Sequence, residues 1–226
     1  MFRSNYTLYF LFLCVLFSSC DWSNGSLFQP KRVAPPKIQE GSSYNLSENI
    51  GRSSWQKPEL VLQKLGDVSG KTIVDIGSGT GYFTFRLAHL NAKVIALDID
   101  QKMLDFINGF KENLPKDIQG NISTKLGKAD DPQLDNEIAD AIIIINTITY
   151  IEDLDEYIRT IKPSLKPGGM LMIVDFKVMA SDLPAPLEED RIPEKLVEEL
   201  LKDAGYSIID ADDTSLEYQY IITAKI

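Results

Sequence analysis

Short apolar runs closed by turn residues, with amphipathic segments between most of them, constrain this chain more than any other feature. The run A-D-A-I-I-I-I, residues 139–145, is almost wholly apolar. With so little polar alternation it reads as a strand covered on both faces. Further runs lie at residues 72–76, 93–97, 122–126 and 170–176, with two more at 206–211 and 217–224. Segments with helical spacing separate most of them. One begins at Pro58, a residue suited to a first turn, carries Leu60, Val61, Leu62 and Leu65, and stops at Gly66. Others span residues 80–90, 101–110, 154–161 and 193–204, and K-P-G-G at 166–169 reads as a turn. Strand and helix in alternation imply an α/β fold. It should be a doubly wound, mostly parallel, seven-stranded sheet with helices on both faces and a C-terminal antiparallel hairpin.

Composition removes several function classes. The net charge is -10 and the sequence pI is near 4.7. A surface that acidic repels a phosphate backbone, and no run of Lys and Arg offsets it, so no nucleic-acid partner is expected. His89 is the only histidine, and Cys14 and Cys20 are the only cysteines. That leaves no material for a His-based metal site, a His-containing triad or a disulfide framework; no metal is expected.

The ends differ from the middle. Arg3 precedes a mostly apolar stretch from 6 to 17, too short to span a bilayer and fitting the core of a secretory signal. Phe17-Ser18-Ser19-Cys20 resembles the lipobox of bacterial lipoproteins, with Phe17 where leucine is commoner. The resemblance implies a signal peptide at 1–19, lipidation at Cys20 and a membrane anchor on the exported side. The alternative is an uncleaved anchor on the cytosolic face. Residues 20–47, rich in Ser, Asn, Pro, Gly and Gln, read as a flexible tether, and 48–226 as the folded domain.

The stretch T-I-V-D-I-G-S-G-T-G-Y-F, residues 72–83, places three glycines where a doubly wound sheet binds ligands, beyond the carboxyl end of its first strand. A dinucleotide fingerprint would put its third glycine at position 82, where Tyr82 stands; no G-K-S or G-K-T follows either. The spacing G-x-G-x-G, two residues after Asp75, therefore argues against NAD and against a Walker loop.

V-D-I-G-S-G-T-G-Y-F, with A-L-D-I-D and L-K-P-G-G-M-L downstream, resembles class I S-adenosylmethionine-dependent methyltransferases of the small-molecule, type 11-like branch. The resemblance runs from about Arg52 to the C-terminus. It implies a Rossmann-like fold, S-adenosyl-L-methionine as cofactor and a small-molecule acceptor, lipid or quinone-like; a monomer is expected. Asp75 matches the acid that helps hold the ammonium end of the methionine moiety. Gly77, Gly79 and Gly81 match the glycines that wrap it. Asp98 falls at the ribose position, with Asp100 the better helix cap, and Ile99 would lie against adenine. Ala129, Asp130 and Asn146 complete the expected cofactor set. Lys128 stands where the family commonly has an acid for the adenine amino group, which leaves Asp130 as a substitute.

Methyl transfer needs alignment and exclusion of water more than a dedicated base. Acceptor contacts should come from residues 146–150 and 175–176. Residues 146–150 do not form the N/D-P-P-Y/F loop of amino methyltransferases, and they lack histidine. Tyr150 and Asp175 are the candidate catalytic groups. E-Y-Q-Y at 217–220 reads as strand rather than pocket wall. Two alternatives stand beside a methyltransferase: a non-catalytic nucleoside-binding or scaffold lipoprotein that keeps the fold, and an oxidoreductase using a dinucleotide, against which the glycine spacing speaks.

Overall fold

A computed structural model describes residues 51–226; the expected signal peptide, Cys20, the whole of the tether and the first three residues of the expected domain lie outside the described residues. One seven-stranded sheet runs in the order β3-β2-β1-β4-β5-β7-β6. Its strands are β1 (Thr72–Ile76), β2 (Lys93–Asp98), β3 (Ile122–Leu126), β4 (Ala139–Ile145), β5 (Leu165–Phe176), β6 (Ser207–Asp212) and β7 (Gln219–Lys225). The first five pair in parallel. β7 inserts antiparallel between β5 and β6. The α/β doubly wound architecture, the parallel majority and the terminal hairpin are all as the sequence implies.

β4 shows why its sequence is so uniformly apolar. Ile142 and Ile144 face one core with Leu154, Ile158 and Ile161 of α6 (Leu154–Ile161) and Val197 and Leu201 of α7 (Glu194–Asp203). Ile143 and Ile145 face the other, with Val61 of α2 (Pro58–Lys64), Leu87 of α3 (Tyr82–His89) and Ile107 of α4 (Gln101–Lys111). Both faces are covered, so side chains of both parities must be apolar. Each fully buried isoleucine contributes ~1.5–3 kcal/mol of burial free energy.

From β1 the chain winds outward to β2 and β3, then returns to lay β4 on the other side of β1. The crevice at the carboxyl ends of β1 and β4 is therefore the topological switch point.

Three readings need correction. K-P-G-G is not a turn between elements. β5 begins at Leu165, pairs there with Ala139, and absorbs the glycines in a register shift, with Gly168 at φ 75°. α3 starts at Tyr82 rather than at Thr80, because Gly79 and Gly81 take positive φ of 52° and 84° that a helix cannot contain. β7 starts at Gln219, leaving Glu217 and Tyr218 before it. Two short helices, α1 (Arg52–Gln56) and α5 (Lys116–Gly120), carry too little apolar periodicity to be read from sequence. No helix among the described residues is long and apolar enough to cross a membrane.

Candidate active site

β1 delivers Asp75 to the switch point, 3% exposed, its Oδ2 accepting from the Thr84 hydroxyl at 2.6 Å. Burial pushes the Asp75 carboxyl up to about 6, against the Thr84 hydrogen bond and the nearby Arg52 cation, which pull it down. The chain then turns through Gly77, Ser78, Gly79, Thr80 and Gly81. Backbone amides of Gly77 and Ser78 donate to the Leu97 carbonyl of β2 at 2.9 and 3.0 Å, tying the turn to the neighbouring strand.

The three glycines serve different ends. A Cβ on Gly77 would lie 2.3 Å from Thr147 Oγ1, and one on Gly81 2.6 Å from the Phe85 ring. Those two are required by the protein's own packing. A Cβ on Gly79 would meet nothing within 4 Å, so the backbone there faces open space that a ligand can enter closely.

β2 delivers Asp98. Its Oδ2 accepts from Gly79 N at 2.8 Å and its Oδ1 from Asp100 N at 3.0 Å. Each oxygen retains a further acceptor position, which suits a diol. Burial raises its pKa, partly offset by those amides. Asp100, not Asp98, caps α4, accepting from Lys102 N at 2.9 Å.

A cavity of about 370 Å³ opens over this crevice. Its walls include Asp75, Gly77, Gly79, Asn146, Tyr150 and Phe176, as the sequence suggests, together with residues for which it offers no local signal: Arg52 and Trp55 of α1, Ser78, Tyr82 and the Pro184–Ala185–Pro186 corner. Arg52 lies 4.3 Å from the Tyr82 ring centroid and Arg86 3.7 Å from it. Phe176 meets Trp55 at 5.6 Å between centroids. The proline corner is held by buried Arg191, whose guanidinium donates to the carbonyls of Pro186 and Lys177 at 2.9 and 3.1 Å, and to that of Met179. No local sequence signal marks Arg52, Trp55 or Arg191, since tertiary contacts alone bring them here.

Other expected residues fall elsewhere. Gly81 is buried beneath the turn and does not border the cavity, and neither does Asp98. Ile99 is 51% exposed, and Ala129 and Asp130 are exposed beyond β3. Asp175 is corrected as a candidate base. It is 1% exposed, does not border the cavity, and both oxygens are taken by backbone amides, Oδ2 by Ile148 N at 3.1 Å and Oδ1 by Phe176 N at 2.8 Å. Burial away from the cavity, more than these bonds, withdraws it from an acceptor; it anchors the loop that carries Tyr150. Burial raises its carboxyl to about 6. His89 is exposed at the end of α3, outside this cavity. No cluster of potential metal ligands occurs among the described residues.

Two hydroxyls on the cavity wall, Ser78 Oγ and Tyr82 Oη, are buried without a hydrogen-bond partner among the described residues. Buried polar groups seldom stay unpaired without cause. Here the unpaired hydroxyls, the open face of Gly79 and the buried acid Asp75 together fit a ligand with a polar, cationic end, as an aminoacyl group provides.

Residues 67–222 match the methyltransferase domain family, and the chain belongs to it. Its curated relatives include the ubiquinone/menaquinone biosynthesis C-methyltransferase UbiE of Pseudomonas paraeruginosa, 29% identical over 160 residues, 68% of this chain and 61% of that protein. The demethylmenaquinone methyltransferase of Tropheryma whipplei is 31% identical over 122 residues, 54% of this chain and 48% of that one. The chain thus spans about half to three-fifths of the length of these relatives. A solved SAM-dependent methyltransferase from Aquifex aeolicus shares the fold with a TM-score of 0.72 at 23% identity, over 80% of this chain and 95% of that one.

Proposed function

We propose that the chain is an S-adenosylmethionine-dependent methyltransferase acting on a small, flat, quinone-like acceptor. The observation that carries this reading is the cavity at the switch point: buried Asp75, the open face of Gly79 and two unpaired hydroxyls, with Asp98 beside it. Asp75 and the glycine turn would hold the aminoacyl end of the donor and Asp98 the ribose hydroxyls. Ile99 gives adenine an exposed apolar face, and Ala129 and Asp130 lie beyond the neighbouring strand.

Bound there, the donor supplies a methyl group on a sulfonium, already a strong electrophile. The protein's part is to hold the acceptor in line and keep water out, which is worth ~7–11 kcal/mol. Trp55, Phe176 and the Pro184–Pro186 corner suit a planar ring. The quinone-like class rests on the names of the relatives and on this wall.

A second reading has its own support: Lys128 stands at the expected adenine acid, and residues 146–150 hold no histidine. Under it the domain binds the donor without turnover, as a lipid-anchored scaffold. Incubating the full chain with methyl-labelled donor and a membrane lipid extract separates the two. A labelled lipid-soluble product supports the enzyme, and donor binding with no labelled product supports the scaffold.

The same proposal places the domain at a membrane through Cys20 on the exported side. Intact mass and fractionation of the native chain and of Cys20→Ser test it. A native chain retaining Met1, or a variant that stays in the membrane at the mass expected for substitution alone, would favour an uncleaved anchor instead.

A further inference from the structure

Three buried or half-buried carboxamides meet at the edge of the cavity. Gln56 Nε2 donates to Gln219 Oε1 at 2.9 Å and to Asn146 Oδ1 at 3.1 Å, and Gln219 Nε2 donates to the same Asn146 Oδ1 at 2.5 Å. Gln56 and Gln219 are both 0% exposed. The oxygen and nitrogen ends of such groups are ordinarily interchangeable, and the network must choose them.

Here the choice is forced from one end. Arg52 Nε donates to Gln56 Oε1 at 2.5 Å, and a guanidinium has no acceptor to offer. Gln56 must therefore turn its oxygen to Arg52 and its NH2 inward. Gln219 must then meet that NH2 with its oxygen, which turns the Gln219 NH2 to Asn146. Asn146, facing two NH2 groups, can present only its oxygen. Its own NH2 is left pointing away from the network, with no partner among the described residues, on a side chain that lines the cavity.

We propose that Asn146 is a fixed hydrogen-bond donor to an oxygen of the methyl acceptor, and that Gln56 and Gln219 are positioning residues that prevent its amide from turning over. The donor's ammonium cannot be its partner, because an NH2 does not accept, and Asp75 takes that role; the donor's carboxylate is the rival acceptor, and a large loss of S-adenosylhomocysteine affinity in Asn146→Leu would assign the amide to it and overturn the proposal. Position along the sheet separates the two substrates as well. Asp98 is the last residue of β2 and Asp75 the last but one of β1, whereas Asn146 directly follows β4 and meets Gln219, which pairs with Phe176 of β5. The amide thus stands toward the Phe176 and Tyr150 wall. The recognised class is an acceptor bearing a carbonyl, phenol or enol oxygen. A neutral N–H bonds more strongly to the ionised oxygen than to the hydroxyl, so the site favours the form whose electrons can attack a methyl group. Asn146 thereby offsets the absence of histidine from this loop.

The inference rests on the methyltransferase reading, and the test keeps the two apart. The probe is 4-nitrophenol, whose ionised form absorbs visible light, titrated against the full chain saturated with S-adenosylhomocysteine. Binding of S-adenosylhomocysteine by the wild-type chain is measured first by calorimetry; if there is none, the methyltransferase reading fails and this inference with it. Given binding, bound nitrophenol should ionise about one pH unit below the free probe. Asn146→Asp, close in shape, should move that titration above the free value, because a carboxylate then faces the phenolate. Asn146→Leu should remove the displacement, and Gln219→Leu should reduce it without touching the probe. An Asn146→Asp complex titrating where the wild type does, or no probe binding to the wild-type complex, would overturn the proposal while leaving donor binding intact. Should Asn146→Leu fail to fold, the aspartate variant still decides.

Discussion

Replacing Asp75 by asparagine should strengthen the fold and weaken the donor at once. Asp75 is 3% exposed, and burial lifts its carboxyl from 3.8 to about 6. A carboxyl raised in the folded state is least costly when protonated. Stability should be greatest below the unfolded value and fall as pH rises from about 4 through about 6. A difference of that size corresponds to ~3 kcal/mol at neutral pH, an order-of-magnitude figure. Asparagine keeps an oxygen for the Thr84 hydroxyl and carries no charge, so the variant should gain up to that amount at pH 7.5. A cationic ligand end needs the carboxylate. Donor affinity in the wild type should therefore be level above about pH 7 and fall about tenfold between pH 7.5 and pH 5. In Asp75→Asn it should be roughly tenfold weaker at pH 7.5 and nearly independent of pH. Calorimetry with S-adenosylhomocysteine at several pH values, beside thermal unfolding of both proteins, reads both effects. Asp175 titrates in the same range, also at about 6, so the difference between the two proteins, not the wild-type curve alone, isolates Asp75. A variant that binds as tightly as wild type, with the same pH dependence, would refute the reasoning.

Three further outcomes are expected. Asp98→Ala removes a charge-assisted pair with the ribose, ~1.5–3 kcal/mol, and should weaken donor binding about ten- to a hundredfold by calorimetry; unchanged affinity would remove Asp98 from the site. Gly77→Ala sets a Cβ 2.3 Å from Thr147 Oγ1 at a φ of 72°. It should lower stability by about 1–3 kcal/mol in urea unfolding, whereas Gly79→Ala, with open space around it, should cost less. Tyr150→Phe should slow turnover only modestly; a loss beyond about three orders of magnitude would make Tyr150 the general acid-base group.

The sequence made the sheet legible where burial is uniform. Residues 72–76 and 139–145 form strands with the very limits their apolar runs suggest, because those runs stop abruptly at Gly77 and Asn146. It misled where a turn signal served the inside of a strand: Gly168 and Gly169 look like a stop, yet β5 carries them through in its register shift with β4. On the site, chain-local features were readable. Asp75, Gly77, Gly79 and Asn146 sit at strand ends, and the structure puts them on one cavity. Arg52, Trp55 and Gln56 were not readable, since α1 is five residues long and its contacts to Tyr82, Phe176 and Gln219 bridge distant parts of the chain. Asp175 shows the converse limit. An acid at a strand end looks chemically available, and only the folded chain reveals two backbone amides already holding it.

The account stands or falls on methyl transfer itself. The most direct measurement is mass-spectrometric detection of S-adenosylhomocysteine and methylated product when the full chain meets S-adenosylmethionine and a short-chain demethylated hydroquinone. Equimolar formation of both, lost in Asp98→Ala at sub-saturating donor, is the predicted result. Tight donor binding with neither product formed, from this acceptor or from membrane lipid extract, would contradict it and leave a binding protein on a methyltransferase fold.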